Sequence, residues 1–146
     1  MMAQSAMGSL CCNDECTQLL CENPEARITL VTIAPHMRSP LHTNRLPHLT
    51  IPLTNGTLQM LDKDMKKITC CTGQSVCCTP QVGQSEMFVI CGEECHSMVN
   101  VGNRFPCTHC VENMGDMPYM EIVVELPNYV NGKGVPTAAC VSTNPN

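Results

Sequence analysis

The sequence contains few aromatic side chains and few charged ones. Tryptophan is absent, and only two Phe and two Tyr occur among 146 residues. Charged residues make up 14% and the formal net charge is -5, which argues against a partner with a polyanionic surface, such as a nucleic acid or an acidic membrane. Hydrophobic residues make up 43%, enough for the core of one domain. We therefore expect one folded domain with no nucleic-acid and no membrane partner.

Targeting segments are also missing from the sequence. No apolar run approaches the roughly 18 residues that a membrane-spanning helix needs, and the first residues, MMAQSAMGSLCC, lack the basic and apolar regions of a signal peptide. Thirteen cysteines would indicate a disulfide framework in a secreted chain. Without a signal peptide we instead expect a cytoplasmic protein with mostly free thiols, most of which pack as small hydrophobic side chains.

Short β-type segments begin after residue 26. Arg27–Ala34 is rich in β-branched residues, and the segment 119–126 alternates, with Tyr119 and every second residue after it on one face. The dipeptide Asn55-Gly56 predicts a tight hairpin that pairs the preceding segment with a strand over Thr57–Leu61. Many short strands without long amphipathic helices indicate an all-β sandwich or closed barrel.

The domain boundaries follow from the same pattern. Residues 1–25 show no clear periodicity and are expected to be a loosely ordered leader. The barrel is expected over residues 26–127. Residues 128–146, rich in Asn, Gly, Pro and Thr, are expected to be a flexible tail.

Two segments carry a resemblance to a known family. Residues 34–64, APHMRSPLHTNRLPHLTIPLTNGTLQMLDKD, resemble the first motif region of small single-domain cupins. Residues 109–127, HCVENMGDMPYMEIVVELP, resemble their second motif and final strand. The resemblance covers residues 26–82 and 107–127 and implies a cupin-type jelly-roll β-barrel, which in this family often holds one divalent metal.

The resemblance also implies a metal site. The first motif of the family, H-x-H-x3-E, falls on His42, Asn44 and His48, so Asn44 stands at the usual position of the second His. His42, His48 and His109 would hold Fe, Mn, Ni or Zn, since imidazole suits such ions. The alternative is a polar barrel mouth with no metal.

Two functions follow from the resemblance. One is a metal-dependent enzyme that acts on a small polar molecule. The other is a non-catalytic module that binds a small-molecule ligand or assembles as a dimer. Because sheet edges of small barrels are often covered by a second copy, we expect a homodimer.

The second motif occurs twice. The pattern H-x3-N-x-G-[ND] starts at His96 and again at His109, and the triplet Gly-Gln-Ser starts at residues 73 and 83. Residues 83–106 are therefore predicted to be an inserted extra copy of one hairpin, with Glu86–Cys91 as an added edge strand. His96 is then a substitute for His109 in the metal site, and removing the copy should leave a folded barrel.

The cysteines offer a third possibility. Cys91 and Cys95, together with Cys107 and Cys110, form two close pairs that could hold zinc tetrahedrally. Cys107 and Cys110 could also act as a redox pair, as C-x-x-C motifs can.

Overall fold

The structure is a computed structural model that describes residues 16–68, 77–100 and 102–131. The predictions for residues 1–15 and 132–146 lie outside this part of the chain. The described elements are strands and one short 3-10 helix, Pro127–Asn131, which confirms the all-β prediction. None of the helices found there is long and apolar enough to cross a lipid bilayer. The strands are β1 (Thr17–Glu22), β2 (Arg27–Ile33), β3 (His42–Thr43), β4 (His48–Pro52), β5 (Leu58–Leu61), β6 (Cys77–Cys78), β7 (Glu86–Cys91), β8 (Glu94–Ser97), β9 (Arg104–Pro106), β10 (Thr108–Asn113) and β11 (Tyr119–Glu125).

The strands form two antiparallel sheets. One has seven strands in the order β1-β2-β11-β4-β7-β8-β9, and the other has four in the order β3-β10-β5-β6. Strand β11 lies inside the larger sheet, where it pairs with β2 from Tyr119 opposite Ile33 to Glu125 opposite Arg27, and with β4 on its other side. The two sheets face each other across a cavity, and residues of both sheets line it.

The alternation predicted for the last strand is present. Tyr119, Glu121, Val123 and Glu125 all line the cavity. The residues between them therefore point to the outer face of the sheet, because successive side chains of a strand point to opposite faces. The same alternation on the neighbouring strands brings Thr29 and Thr50 to the cavity wall.

The hairpin predicted at Asn55-Gly56 is wrong, because β4 and β5 belong to different sheets. The dipeptide instead connects the sheets and holds the segment before β7. Gly56 N donates a hydrogen bond to Pro80 O at 3.0 Å, and Asn55 Oδ1 accepts one from Val82 N at 2.9 Å. Glycine is needed here because a Cβ at position 56 would lie 2.6 Å from Cδ1 of Tyr119.

The predicted leader ends earlier than expected. Its last part is strand β1, which pairs with β2 and forms one edge of the larger sheet. All six residues of β1 are exposed, so the strand has no buried face and no hydrophobic alternation by which the sequence could reveal it.

The segment 83–106 is part of the larger sheet. It supplies β7, β8 and β9, and β7 lies between β4 and β8, so the prediction of an edge strand over Glu86–Cys91 is wrong. Phe88, Cys95 and Phe105 from this segment pack with Cys107 in a buried hydrophobic cluster. The duplication itself stays a prediction, but this packing changes what removal of the segment should do.

We expect deletion of residues 83–106, with residue 82 joined to residue 107, to prevent folding. The deletion removes three strands of the larger sheet and leaves one edge of β4 unpaired. Circular dichroism and amide NMR of the purified deletion variant would check this. A soluble variant with dispersed amide signals would contradict it and would support an independent extra copy.

The two motif copies differ in their bonding. In the C-terminal copy, Asn113 is 1% exposed and its Nδ2 donates to Ile33 O at 3.0 Å and to Met117 O at 2.8 Å. Its Oδ1 also accepts a hydrogen bond from Gly115 N at 2.9 Å. In the first copy, Asn100 is exposed and its side-chain Nδ2 donates a hydrogen bond to Glu86 Oε2 at 3.2 Å.

These two asparagines form a matched pair for mutation. We expect Asn113→Ala to lower the free energy of unfolding by about 2–4 kcal/mol, because it leaves buried backbone groups without partners. Asn100→Ala should cost less than about 1 kcal/mol, since its bond is exposed to water. Urea unfolding of both variants would check the difference, and equal losses would contradict it.

Candidate functional site

A cavity of about 1120 Å³ occupies the space between the two sheets. This is slightly larger than the usual size of small-molecule sites, which is roughly 300–1,000 Å³. Its lining combines apolar residues with polar ones, and it includes His42, Asn44, His48 and His109. It is thus the natural place to look for the site that the sequence predicts.

The three predicted histidines come together on the cavity wall. His42 and His109 are opposite each other on β3 and β10, and their ring centroids are 4.5 Å apart in an edge-on contact. His48, on β4, is close enough for its charge to affect His109. His42 is exposed, whereas His48 and His109 are buried, so the cluster extends from solvent into the interior.

Each of the three rings is held by a backbone carbonyl. Nδ1 of His42 lies 3.0 Å from Pro40 O, Nδ1 of His48 lies 2.9 Å from Leu46 O, and Nδ1 of His109 lies 2.7 Å from Pro106 O. A carbonyl oxygen can only accept, so these contacts place the proton of each neutral ring on Nδ1. Nε2 then carries the lone pair, as in histidines that bind a metal.

The surroundings favour the neutral form of the two buried rings. Burial lowers the pKa of His48, and burial together with the nearby His42 lowers the pKa of His109 to about 4. The apolar walls come from the two Phe residues of the chain. Phe88 stacks on His48 at 5.4 Å between ring centroids, and Phe105 meets His109 edge-on at 5.0 Å.

Asn44 lies beside the cluster at the position where the family has a second His. Its Nδ2 is 3.5 Å from Nε2 of His109, which is consistent with a lone pair on that nitrogen. The donor set of neutral imidazoles fits a divalent transition metal in its chemistry. However, the side chains as they stand in residues 16–68, 77–100 and 102–131 include no group of three or more His, Cys, Asp or Glu arranged to hold a metal ion.

His96 lies elsewhere. It is buried on β8, its Nε2 is 3.0 Å from Oε1 of Glu94, and it is not among the described residues that line the cavity. Of the two histidines that open the repeated motif, the structure therefore brings His109 and not His96 to His42 and His48.

The four cysteines of the zinc alternative do not assemble in one place. Cys95 and Cys107 have their sulfur atoms 3.7 Å apart, Cys110 contacts the sulfur of Met65, also at 3.7 Å, and Cys91 is disulfide-bonded. Burial raises the pKa of Cys95, Cys107 and Cys110, which keeps them as thiols, whereas zinc binding and thiol exchange need thiolates. Cys16 is disulfide-bonded as well, whereas Cys21, Cys95, Cys107 and Cys110 are free thiols, so the expectation of mostly free thiols agrees with the described part of the chain.

Sequence reasoning gave no role to a second polar group in the cavity, the pair Tyr119 and Glu121. The Tyr119 hydroxyl donates a hydrogen bond to Glu121 Oε1 at 2.8 Å. Burial raises the pKa of Glu121, although the hydrogen bond from Tyr119 acts in the opposite direction. The signal that could have revealed the pair is a carboxylate at an alternating position in the middle of an internal strand.

Solved structures with low sequence identity are similar to this one. A cupin domain from Bordetella pertussis Tohama I matches with a TM-score of 0.53 and 15% identity, over 75% of this chain and 90% of that one. A RmlC-like cupin family protein with a double-stranded β-helix fold from Methanocaldococcus jannaschii matches with a TM-score of 0.49 and 12% identity, over 79% of this chain and 84% of that one. A Cupin 2 conserved barrel domain protein from Salinispora arenicola matches with a TM-score of 0.48 and 13% identity, over 91% and 93%. No protein-family model matches the sequence, and no curated protein matches it either. The first of these matches, together with the two facing sheets, shows that the chain has a cupin-type fold, as the sequence predicted.

The lowered pKa of His109 predicts how the metal-free protein responds to acid. Between about pH 6.5 and about pH 4, the unfolded chain binds a proton at this residue that the folded chain does not bind. The free energy of unfolding should therefore fall as the pH falls through this range, by roughly 2–3 kcal/mol from His109 alone. His48 should add a loss in the same direction, because its pKa is lowered too.

Urea unfolding at pH 7.5 and pH 4.5, in a chelating buffer, would measure this effect. We expect His109→Gln to lose clearly less stability between the two pH values than the unmodified protein. The exposed His36 provides a control, since His36→Gln should keep the full pH dependence. An equal dependence in all three proteins would contradict a buried neutral His109.

Proposed function

We propose that the protein is a small cupin-type barrel that binds one divalent transition metal at His42, His48 and His109, and a small polar molecule in the cavity beside it. The observation that supports this most directly is that all three rings have Nδ1 fixed by a backbone carbonyl and Nε2 left as the lone-pair nitrogen. Three separate peptide carbonyls thus impose the same tautomer on three rings that share one cavity.

Each of these residues has a distinct role in the proposal. His48 and His109 are buried, their pKa is lowered, and they stay neutral at pH 7, so they do not repel a cation. His42 is the exposed member at the entrance, where an incoming ion or ligand meets the site first. Phe88 and Phe105 exclude water from the inner side of the rings. A metal bound here would polarise a ligand oxygen or activate water or O2.

The second candidate is a barrel that binds a small molecule without metal. Two observations favour it, namely Asn44 at the usual second-His position and the lack of a ready metal-holding group in the part of the chain that the structure describes. In that case the histidines accept hydrogen bonds from the ligand through Nε2, and their rings form part of the wall of the cavity.

Metal binding distinguishes the candidates. The full-length protein, stripped with chelator, is dialysed against Zn²⁺, Ni²⁺, Co²⁺ or Mn²⁺, or against Fe²⁺ under anaerobic conditions, and the bound metal is measured by mass spectrometry. We expect one ion per chain and at least a tenfold loss of affinity in His42→Ala, because one of three ligands is gone. His42 is exposed, so this variant should fold normally.

Two variants serve as controls. His36→Ala removes an exposed histidine that pairs with Asp116 outside the cavity lining, and it should bind metal as the unmodified protein does. Cys107→Ser should also leave metal binding unchanged. Binding that survives His42→Ala but is lost in Cys107→Ser would support the cysteine site instead, and no binding at all would support the metal-free barrel.

The expected homodimer stays a prediction, and the outer face of the larger sheet supports it. Ile122 lies between Leu30 and Ile51 on that face, and Val124 lies between Ile28 and Leu49. These side chains are only half-buried, and an apolar sheet surface of this kind is typical of interaction sites. The cytoplasmic location and the lack of nucleic-acid and membrane partners also stay predictions.

A further inference from the structure

One carboxylate in the cavity has neither a cationic side chain nor an amide as its partner. Among the described residues, three acidic side chains line the cavity, and two of them have such a partner. Glu125 lies 3.8 Å from Nε of Arg27, and Glu86 Oε2 accepts hydrogen bonds from the amides of Asn100 and Asn103. Glu121 forms no ion pair with any cationic side chain of the described residues. Among the described residues, its hydrogen-bond partner is the Tyr119 hydroxyl.

The position of this hydroxyl is fixed by packing. Tyr119 is 2% exposed, and its ring lies against Gly56, where any side chain would collide with it. The hydroxyl therefore points to Glu121 before any ligand binds, and Tyr119 loses little conformational freedom when a ligand does bind. An O–H group that donates to a carboxylate stabilises the anion, so this hydrogen bond acts against the burial that raises the pKa of Glu121.

The pair is separate from the histidine cluster. On β11, Glu125 is opposite His48, whereas Glu121 is opposite Pro52, four positions along the strand. This corresponds to about 13 Å at the usual rise of a strand. The cavity is continuous between the two places, since it is lined by residues of both. A ligand at Glu121 thus need not touch the histidines.

The balance of charge in the cavity favours one chemical class of ligand. Arg27 is the only Lys or Arg among the described lining residues, and it already contacts Glu22 and Glu125. An anionic ligand would find no unpaired Lys or Arg among these described lining residues, and it would be repelled by Glu86 and Glu121, the two carboxylates that form no ion pair. A positively charged group would instead neutralise Glu121, whose hydrogen-bond partner is a neutral hydroxyl.

We propose that the cavity binds a small organic cation, with an ammonium or guanidinium group held by Glu121 and its hydrogen-bond partner Tyr119. The inference rests on the proposed use of the cavity for a small polar molecule and names the class of that molecule. It does not depend on metal at the histidines.

The test uses three probes of the same size and different charge, n-butylammonium, n-butanol and n-butyrate. Each is titrated into the isotope-labelled full-length protein in a chelating buffer at neutral pH, and amide chemical shifts are followed. We expect n-butylammonium to bind at least tenfold more tightly than the other two, with the largest shifts on β11, β2 and β4. Equal or tighter binding of n-butyrate or n-butanol would overturn the proposal.

Variants then assign the binding to Glu121. Glu121→Gln should weaken n-butylammonium binding at least tenfold, while Glu93→Gln, which removes the same charge from an exposed turn, should leave it unchanged. If Glu121→Gln does not fold, Glu121→Asp keeps the charge and should still prefer the ammonium probe. Unchanged binding in Glu121→Gln would contradict the assignment. Metal binding at His42 without any preference for the ammonium probe would contradict this inference alone. The absence of both metal binding and the ammonium preference would also contradict the proposed function.

Discussion

The register of β11 against β2 and β4 determines which side chains reach the cavity. Because side chains alternate along a strand, a slip of one residue would replace Tyr119, Glu121 and Glu125 by Met120, Ile122 and Val124 in the interior. The register is supported by pairing along the whole of β11 with β2 and by the contact of Gly56 with the Tyr119 ring. The position of the Glu121 carboxylate in the cavity thus depends on the backbone pairing of β11 and on one glycine in a loop between the sheets.

The histidine cluster depends on contacts of a different range. Each ring is oriented by a carbonyl two or three residues earlier, so the tautomer is a local property of the segments before β4 and β10 and around β3. The assembly of the rings is a long-range property, since β3 meets β10 and β4 lies in the other sheet. Local hydrogen bonds thus orient each ring, and the two facing sheets bring the three rings together.

The sequence predicted the strands and the candidate histidines better than it predicted pairing. Alternation is visible in β11, and the histidines were identified through the family resemblance, although His42 and His48 lie on strands of different sheets. The partner of a strand is set by contacts far away in the chain, and for this reason the hairpin predicted at Asn55-Gly56 is wrong. Strand β1 has no buried face, so its sequence shows no hydrophobic alternation. Glu121 was hidden because the more apolar face of β11, which is ordinarily the buried one, points outward.

The place of β11 in the larger sheet also affects how the chain folds during synthesis. This strand is nearly the last element of the described chain, yet it separates β2 from β4, which are made much earlier. Until it leaves the ribosome, β1 and β2 have no link to β4, β7, β8 and β9, and both halves present an unpaired strand edge. Such a topology has a high contact order and folds slowly. The nascent chain should therefore need protection from aggregation until β11 has been synthesised.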